Sequence, residues 1–151
     1  MALTTAERRG ALRAVMRAPL LLYRLDLGWI LGRRFLYLAT RGRRTGLRRE
    51  TVLEVVGLDR ATSTVYVVSG WGRASDWYRN LEAGPALEVR LGRRRLRAPE
   101  HRFLTLQQAR VLLSRYRSAH PVVWRLLAPR LGLPGDPMAV QQVYAVAFRP
   151  T

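Results

Sequence analysis

The rhythm of hydrophobic and polar positions changes several times along this chain. Residues 4–17 place Leu12, Val15 and Met16 at helical spacing behind Thr4 or Thr5, and predict an amphipathic helix with a hydroxyl cap. Arg9, Arg13 and Arg17 fall on one face of it. Pro19 should end or bend that helix, and a second apolar segment follows to about Leu31. The pattern then turns β-like. Strands are expected at Phe35–Thr40, at Arg49–Val56 with Thr51, Leu53 and Val55 on one face, and at Thr64–Ser69. Ser75 or Asp76 can cap a short helix through Leu81, which Gly84-Pro85 terminates. Ala86–Leu91 and Arg94–Ala98 read as a hairpin around Gly92-Arg93, with Leu87, Val89 and Leu91 facing inward.

Helical spacing returns at Thr105–Tyr116, with Leu106, Ala109, Leu112, Leu113 and Tyr116 toward a core, and again at Pro121–Leu127. The Pro- and Gly-rich stretch 129–137 predicts a loop, and the alternation through Gln142–Phe148 a last strand. Helix, meander, helix and final strand point to an α+β fold. Its antiparallel sheet should be closed or nearly closed into a small barrel, with the helices segregated. Strands do not alternate with helices, so a doubly wound parallel sheet is not expected.

With 151 residues, 48% of them apolar, the chain can bury one proper core. It has no cysteine, which removes disulfides, thiolate nucleophiles and cysteine-ligated metal, and fits a reducing cytosol. Glu7 and the arginines at 8, 9, 13, 17 and 24 interrupt anything like a signal peptide. The apolar stretch Pro19–Leu31 contains Arg24 and Asp26 and falls short of the ~20 residues a bilayer requires. Two histidines, His101 and His120, with no third ligand argue against a metal site. No GxSxG motif and no carboxylate dyad supports hydrolase chemistry.

Charge changes the picture more. The net charge is +17, and all 27 basic residues are arginine. A coding bias explains arginine over lysine, but not the scarcity of acids, so an anionic partner is expected. Five of the arginines crowd into TRGRRTGLRRETVLE, residues 40–54, between two strands. Gly42 and Gly46 permit unusual backbone angles and close approach there, and Thr45 adds a hydroxyl. Such a turn is a plausible phosphate cradle built from charge-assisted bonds. It matches neither a Walker loop nor a dinucleotide fingerprint. The second stretch, SGWGRASDWYRNL at Ser69–Leu81, runs from a strand end through a glycine loop into a helix, which aims free amides at one spot. Trp71 in that loop can cover a planar ring. Glu50 and Glu54, on one strand face, are expected to answer nearby arginines.

These two motifs, TRGRRTGLRRETVL and VVSGWGRASDWYRNLEAGPALEV, resemble the deazaflavin (coenzyme F420)-dependent nitroreductase family over residues 35–98. That family's pattern is roughly TxGRKSGxxRxTPL, then SKGG, then a WYHNL helix. The resemblance implies a split β-barrel, akin to FMN-binding barrels of the pyridoxamine-phosphate oxidase type. It implies an N-terminal amphipathic helical segment (1–31) ahead of a split-barrel cofactor-binding portion (32–151), all in a single domain. Carried over by position, Arg43, Arg44, Thr45, Gly46 and Arg49 form the phosphate-facing turn, followed by Thr51 and Val52. Ser69, Gly70, Trp71, Gly72 and Arg73 form the second loop, and Trp77, Tyr78 and Asn80 the helix signature. Val52 replaces a proline, Gly70 a basic residue and Trp71 a glycine; Arg73 is placed to make good the charge absent at 70.

The implied activity is hydride transfer from reduced coenzyme F420 to a quinone, nitro or enone acceptor. The coenzyme's phosphate and acidic tail would use the positive charge. Tyr78 and Tyr116 are candidates to protonate or orient the acceptor. The alternatives are an FMN- or haem-binding split barrel, and a non-enzymatic basic module on a membrane surface or nucleic acid. Against nucleic acid, the aromatics are not spaced as a stacking platform. A homodimer, and a cytoplasmic location with peripheral contact at the inner membrane face through the N-terminal helix, complete the expectations.

Overall fold

A computed structural model describes residues 19–69, 72–130 and 133–151. The helix expected at 4–17 lies outside them. Residues 19–24 are helical, and Gly28–Leu31 makes one tight turn. The strands are β1 (Phe35–Arg41), β2 (Arg48–Asp59), β3 (Thr64–Val68), β4 (Ala86–Leu91), β5 (Arg94–Arg97), β6 (Glu100–Phe103) and β7 (Ala145–Arg149). The helices are α1 (Asp76–Ala83), α2 (Leu106–Ala119) and α3 (Pro121–Arg130). All seven strands join one antiparallel sheet in the order β5-β4-β1-β2-β3-β7-β6, curled into the split-barrel form.

The sheet's two faces are filled by different parts of the chain. Leu36, Leu38, Val67, Val89, Val146 and Phe148 point into the barrel, where Tyr78 and Leu81 of α1 close one end. Alternation sends Tyr37 and Ala39 to the outer face, where Tyr23 covers them and donates its hydroxyl to the Phe35 carbonyl at 2.8 Å. Further along that face α2 packs on Val56 and Val68 through Leu112 and Leu113. Thr105 starts α2 with a reciprocal cap, accepting from Gln108 N while the Gln108 side chain accepts from Thr105 N.

Three details depart from the sequence reading. β6 was not anticipated, because Glu100 and Arg102 break up any apolar alternation; its pairing with β7 creates the strand. Leu87 does not face inward with Val89 and Leu91. The β1–β4 register slips between Ala39 and Thr40, so Ala86 enters the barrel core and Leu87 joins Tyr23 outside. Ser75 stands at the start of α1 without capping it, because its hydroxyl is 2.5 Å from that of Ser69.

One mismatch in strand length positions the site. β2 has 12 residues and β3 only 5, and their pairing begins at Val55. Residues 48–54 therefore pair with β1 alone. Val55 N–H donates to Arg34 O on the β1 side at 2.8 Å. By strand alternation the peptide groups of Glu50, Val52 and Glu54 face the side that β3 leaves unpaired.

Candidate functional site

A cleft of about 1030 Å³ opens along that unpaired stretch. Because the strand has no neighbour there, both of its faces reach the cleft, and each residue from Arg49 to Glu54 lines it. Thr40, Trp77 and Asn80 line the barrel side; Val56, Val68, Leu113, Tyr116, Trp124 and Leu133 line the side under α2 and α3. One end is therefore basic and polar, the other largely apolar.

The basic end is the β1–β2 turn. Gly42 N–H donates to Leu47 O at 2.7 Å and Gly46 N–H to Gly42 O at 2.8 Å. Gly46 has φ +70°, a left-handed angle that penalises any side chain. A Cβ at Gly42 would meet the Thr45 hydroxyl at 2.7 Å, so the turn closes only over a bare backbone. Arg43, Arg44, Thr45 and Arg49 all line the cleft. Among the described residues neither Arg44 nor Arg49 has a carboxylate within ion-pair distance. Two guanidinium groups beside a cavity without internal counter-charge suit an anionic ligand.

Asn80 fastens this turn to α1. Its side-chain oxygen accepts from Arg43 N at 3.2 Å and from Arg43 Nη1 at 3.1 Å, while its amide donates to Thr40 Oγ1 at 3.1 Å. Arg43 Nη1 also reaches Asp76 at 3.1 Å. Asn80 is 4% exposed with its amide engaged at both ends, so it sets the distance between the two motifs. Arg43 is held in place as well, leaving Arg44 and Arg49 to face the cleft.

The start of α1 reaches the arginine turn, since Ser75, Asp76 and Trp77 line the same cleft. Several carried-over positions stand elsewhere. Ser69 lies behind Ser75 and does not line the cleft. Arg73, expected to make good the charge absent at 70, faces Glu82, with contacts of 3.4 and 3.3 Å. Tyr78 packs inside the barrel against Phe103 and Tyr144, with ring centroids 5.1 and 5.2 Å away, and is not a cleft residue. Gly46 shapes its turn without lining the cleft, Gly72 opens the short turn Gly72–Ala74, and Gly70 and Trp71 fall outside the described residues.

A profile of the F420H(2)-dependent quinone reductase family matches residues 23–121, a span that holds the arginine turn, the second loop and α1. The chain belongs to that family. It is an oxidoreductase dependent on coenzyme F420. None of the curated proteins matches the chain. Among solved structures, an F420-H2 dependent reductase (FDR-A) aligns at 18% identity over 78% of this chain and 96% of its own, with a TM-score of 0.54. A structure described as a domain-swapped dimer aligns at 17% identity over 94% of this chain and 96% of its own, TM-score 0.57. An FMN-binding protein from Nostoc punctiforme, related to pyridoxamine 5'-phosphate oxidase, aligns at 18% identity over 99% of this chain and 83% of its own, TM-score 0.52. At such identities these structures share the fold.

The residues fit the family's coenzyme. Trp77 and an open strand edge line the cleft where a planar ring would need cover, and Arg44 and Arg49 line it where a phosphate would need positive charge. At the apolar end of this quinone reductase family member lies one polar pair that sequence reasoning missed. Tyr116 donates to Glu54 Oε1 at 2.7 Å. Burial, and then that hydrogen bond, push the phenol's ionisation well up, with Arg34 a smaller opposing influence. Glu54 was expected to answer an arginine. Glu50 does so, through Arg24 at 3.5 Å, while Glu54 takes a tyrosine from α2. Contacts 62 residues apart leave no mark on local spacing.

Proposed function

We propose that this protein takes reduced coenzyme F420 as a dissociable cosubstrate and passes its hydride to a flat, lipophilic acceptor of the quinone, nitro or enone type. The observation that carries this reading is the polarity of the cleft. Arg44 and Arg49, without internal counter-ions among the described residues, seat the phosphate and the acidic tail. The unpaired peptide groups of β2 offer hydrogen bonds to the ring edge, and Val56, Val68, Leu113 and Trp124 accommodate the acceptor. When bound, the coenzyme supplies a two-electron hydride; the protein supplies orientation, charge neutralisation and exclusion of water.

The family match favours the deazaflavin over FMN. A homodimer is the assembly we propose, supported by the domain-swapped dimer among its structural neighbours. Peripheral contact with an anionic membrane is supported by exposed Leu21, Leu25, Leu27 and Ile30 beside exposed Arg24, Arg33 and Arg34. Among the described residues no helix is long and apolar enough to cross a membrane.

Titrating the purified protein with coenzyme F420, FMN, short DNA and phosphatidylglycerol vesicles, at low and moderate salt, tests the reading. Coenzyme F420 should bind most tightly and keep its affinity at moderate salt, while DNA binding collapses. Preference for FMN, or DNA affinity that outlasts that of the deazaflavin, would refute it.

A further inference from the structure

We propose that Glu54, held by Tyr116, is the proton donor to the acceptor at the apolar end of the cleft. This rests on the reading of the cleft as the coenzyme and acceptor site. Glu54 lies on the face of β2 that looks toward α2, and both it and Tyr116 line the cleft among Val56, Val68, Leu113 and Trp124. The Tyr116 hydroxyl occupies Oε1, which leaves Oε2 for a ligand. The geometry separates two jobs along one strand. Arg49, on the barrel face, meets an anion at one end of the cleft, and Glu54, five residues on and on the opposite face, meets the acceptor at the other.

The chemistry needs such a group. When bound, the reduced coenzyme would supply the hydrogen of one C–H bond together with its electron pair, which would place negative charge on an acceptor oxygen. In its acid form Glu54 gives the Oε2 proton to that oxygen, completing a two-electron, two-proton reduction. The carboxylate left behind is held by the Tyr116 O–H, which already points at it. Glu54 regains a proton from solvent, which would also take up the one left on the donor, so atoms and charges balance. Tyr116 is thus a positioning residue that stabilises the spent carboxylate. The other charged and titratable groups facing the pair are Arg34 beside Tyr116, His120 with its ring 5.0 Å from that of Tyr116, and Glu50 on the same strand face, itself paired with Arg24.

The test compares wild type with Glu54→Gln and Tyr116→Phe. Both variants keep the shape of the cleft, and binding of coenzyme F420, read by its fluorescence polarisation, should stay within about twofold, since neither residue belongs to the basic end. With menadione as acceptor, Glu54→Gln should lower kcat about 100-fold and Tyr116→Phe about tenfold. N-methylacridinium accepts a hydride without a proton, so with it the loss in Glu54→Gln should be no more than about a tenth of that with menadione. A readout independent of turnover is the wild-type-minus-variant infrared difference of the coenzyme-free protein. Its Glu54 carboxyl band should shift when menadione is added. Menadione turnover at the wild-type rate in Glu54→Gln, equal losses with both acceptors, or a Glu54 carboxyl band that menadione leaves unmoved would each overturn the assignment to Glu54. Failure of wild type to bind the coenzyme would instead overturn the reading of the cleft, and this proposal with it.

Discussion

Two arginine clusters lie within a few residues of each other in this molecule, and they are used in opposite ways. Arg48, Arg90 and Arg95 close around Glu88, which is 5% exposed; Arg48 reaches it at 2.8 Å, Arg95 at 2.7 Å, and Arg90 bonds to it while stacking over Tyr37 at 4.9 Å. Arg44 and Arg49 border a cleft and, among the described residues, have no such carboxylate. Arg48 and Arg49 are neighbours on one strand, and alternation alone sends the first to a closed ionic knot and the second to the open site. Density of positive charge therefore does not mark a ligand site. On the proposed reading, what marks it is positive charge beside a cavity without an answering acid.

The contrast can be broken most forcefully at Glu88. Glu88→Ala leaves three guanidinium groups crowded without a counter-ion, two of them with a path to water. We expect a loss of about 3–4 kcal/mol in unfolding free energy by urea titration. A loss under about 1 kcal/mol would mean the knot is incidental. The open cluster should behave in reverse. Arg44→Ala and Arg49→Ala should each weaken coenzyme F420 by about 1.5–3 kcal/mol in a fluorescence titration. The same changes should move stability by less than about 0.5 kcal/mol. Unchanged affinity in both would show that the turn holds nothing.

Acid separates the clusters a third way. Burial pushes the Glu88 carboxyl up, but hydrogen bonds from Arg90, Arg95 and Arg48 outweigh that and hold it at about 2, below its ordinary 4.5. A carboxyl depressed on folding contributes stability that is fully present above pH 4.5 and is lost as pH falls toward 2. Wild type should lose about 2 kcal/mol across that window from this group, an amount discounted for the solvent around Arg48 and Arg95. Glu88→Gln should show a shallower acid limb in the same measurement, and identical limbs would remove Glu88 as the cause.

Much of this was legible in the chain because it was local. Alternation at Phe35–Thr40 and Thr64–Ser69, the helical spacing at Thr105–Tyr116 and the glycines of the β1–β2 turn each depend on residues within a few positions. Two motifs about twenty residues apart also pointed to a shared site, and Asn80 joins them physically. The remainder depended on distant partners. Glu54 meets Tyr116 only because α2 folds back over β2, β6 is a strand only because β7 lies beside it, and Leu87 turns outward at a slip in register. Tyr78 was misplaced for the opposite reason. Its neighbour Trp77 reaches the cleft, and one step along a short helix turns Tyr78 into the barrel.

The short β3 has a lasting consequence for how such a protein can diversify. The floor of the cleft is fixed by the full β1–β2 ladder, whereas its apolar wall comes from α2, α3 and the chain beyond them. Substitutions in that wall can reshape the room given to a substrate without disturbing the charged corner. On the proposed reading, one scaffold can thereby keep its electron donor while the wall is refitted for a different oxidant.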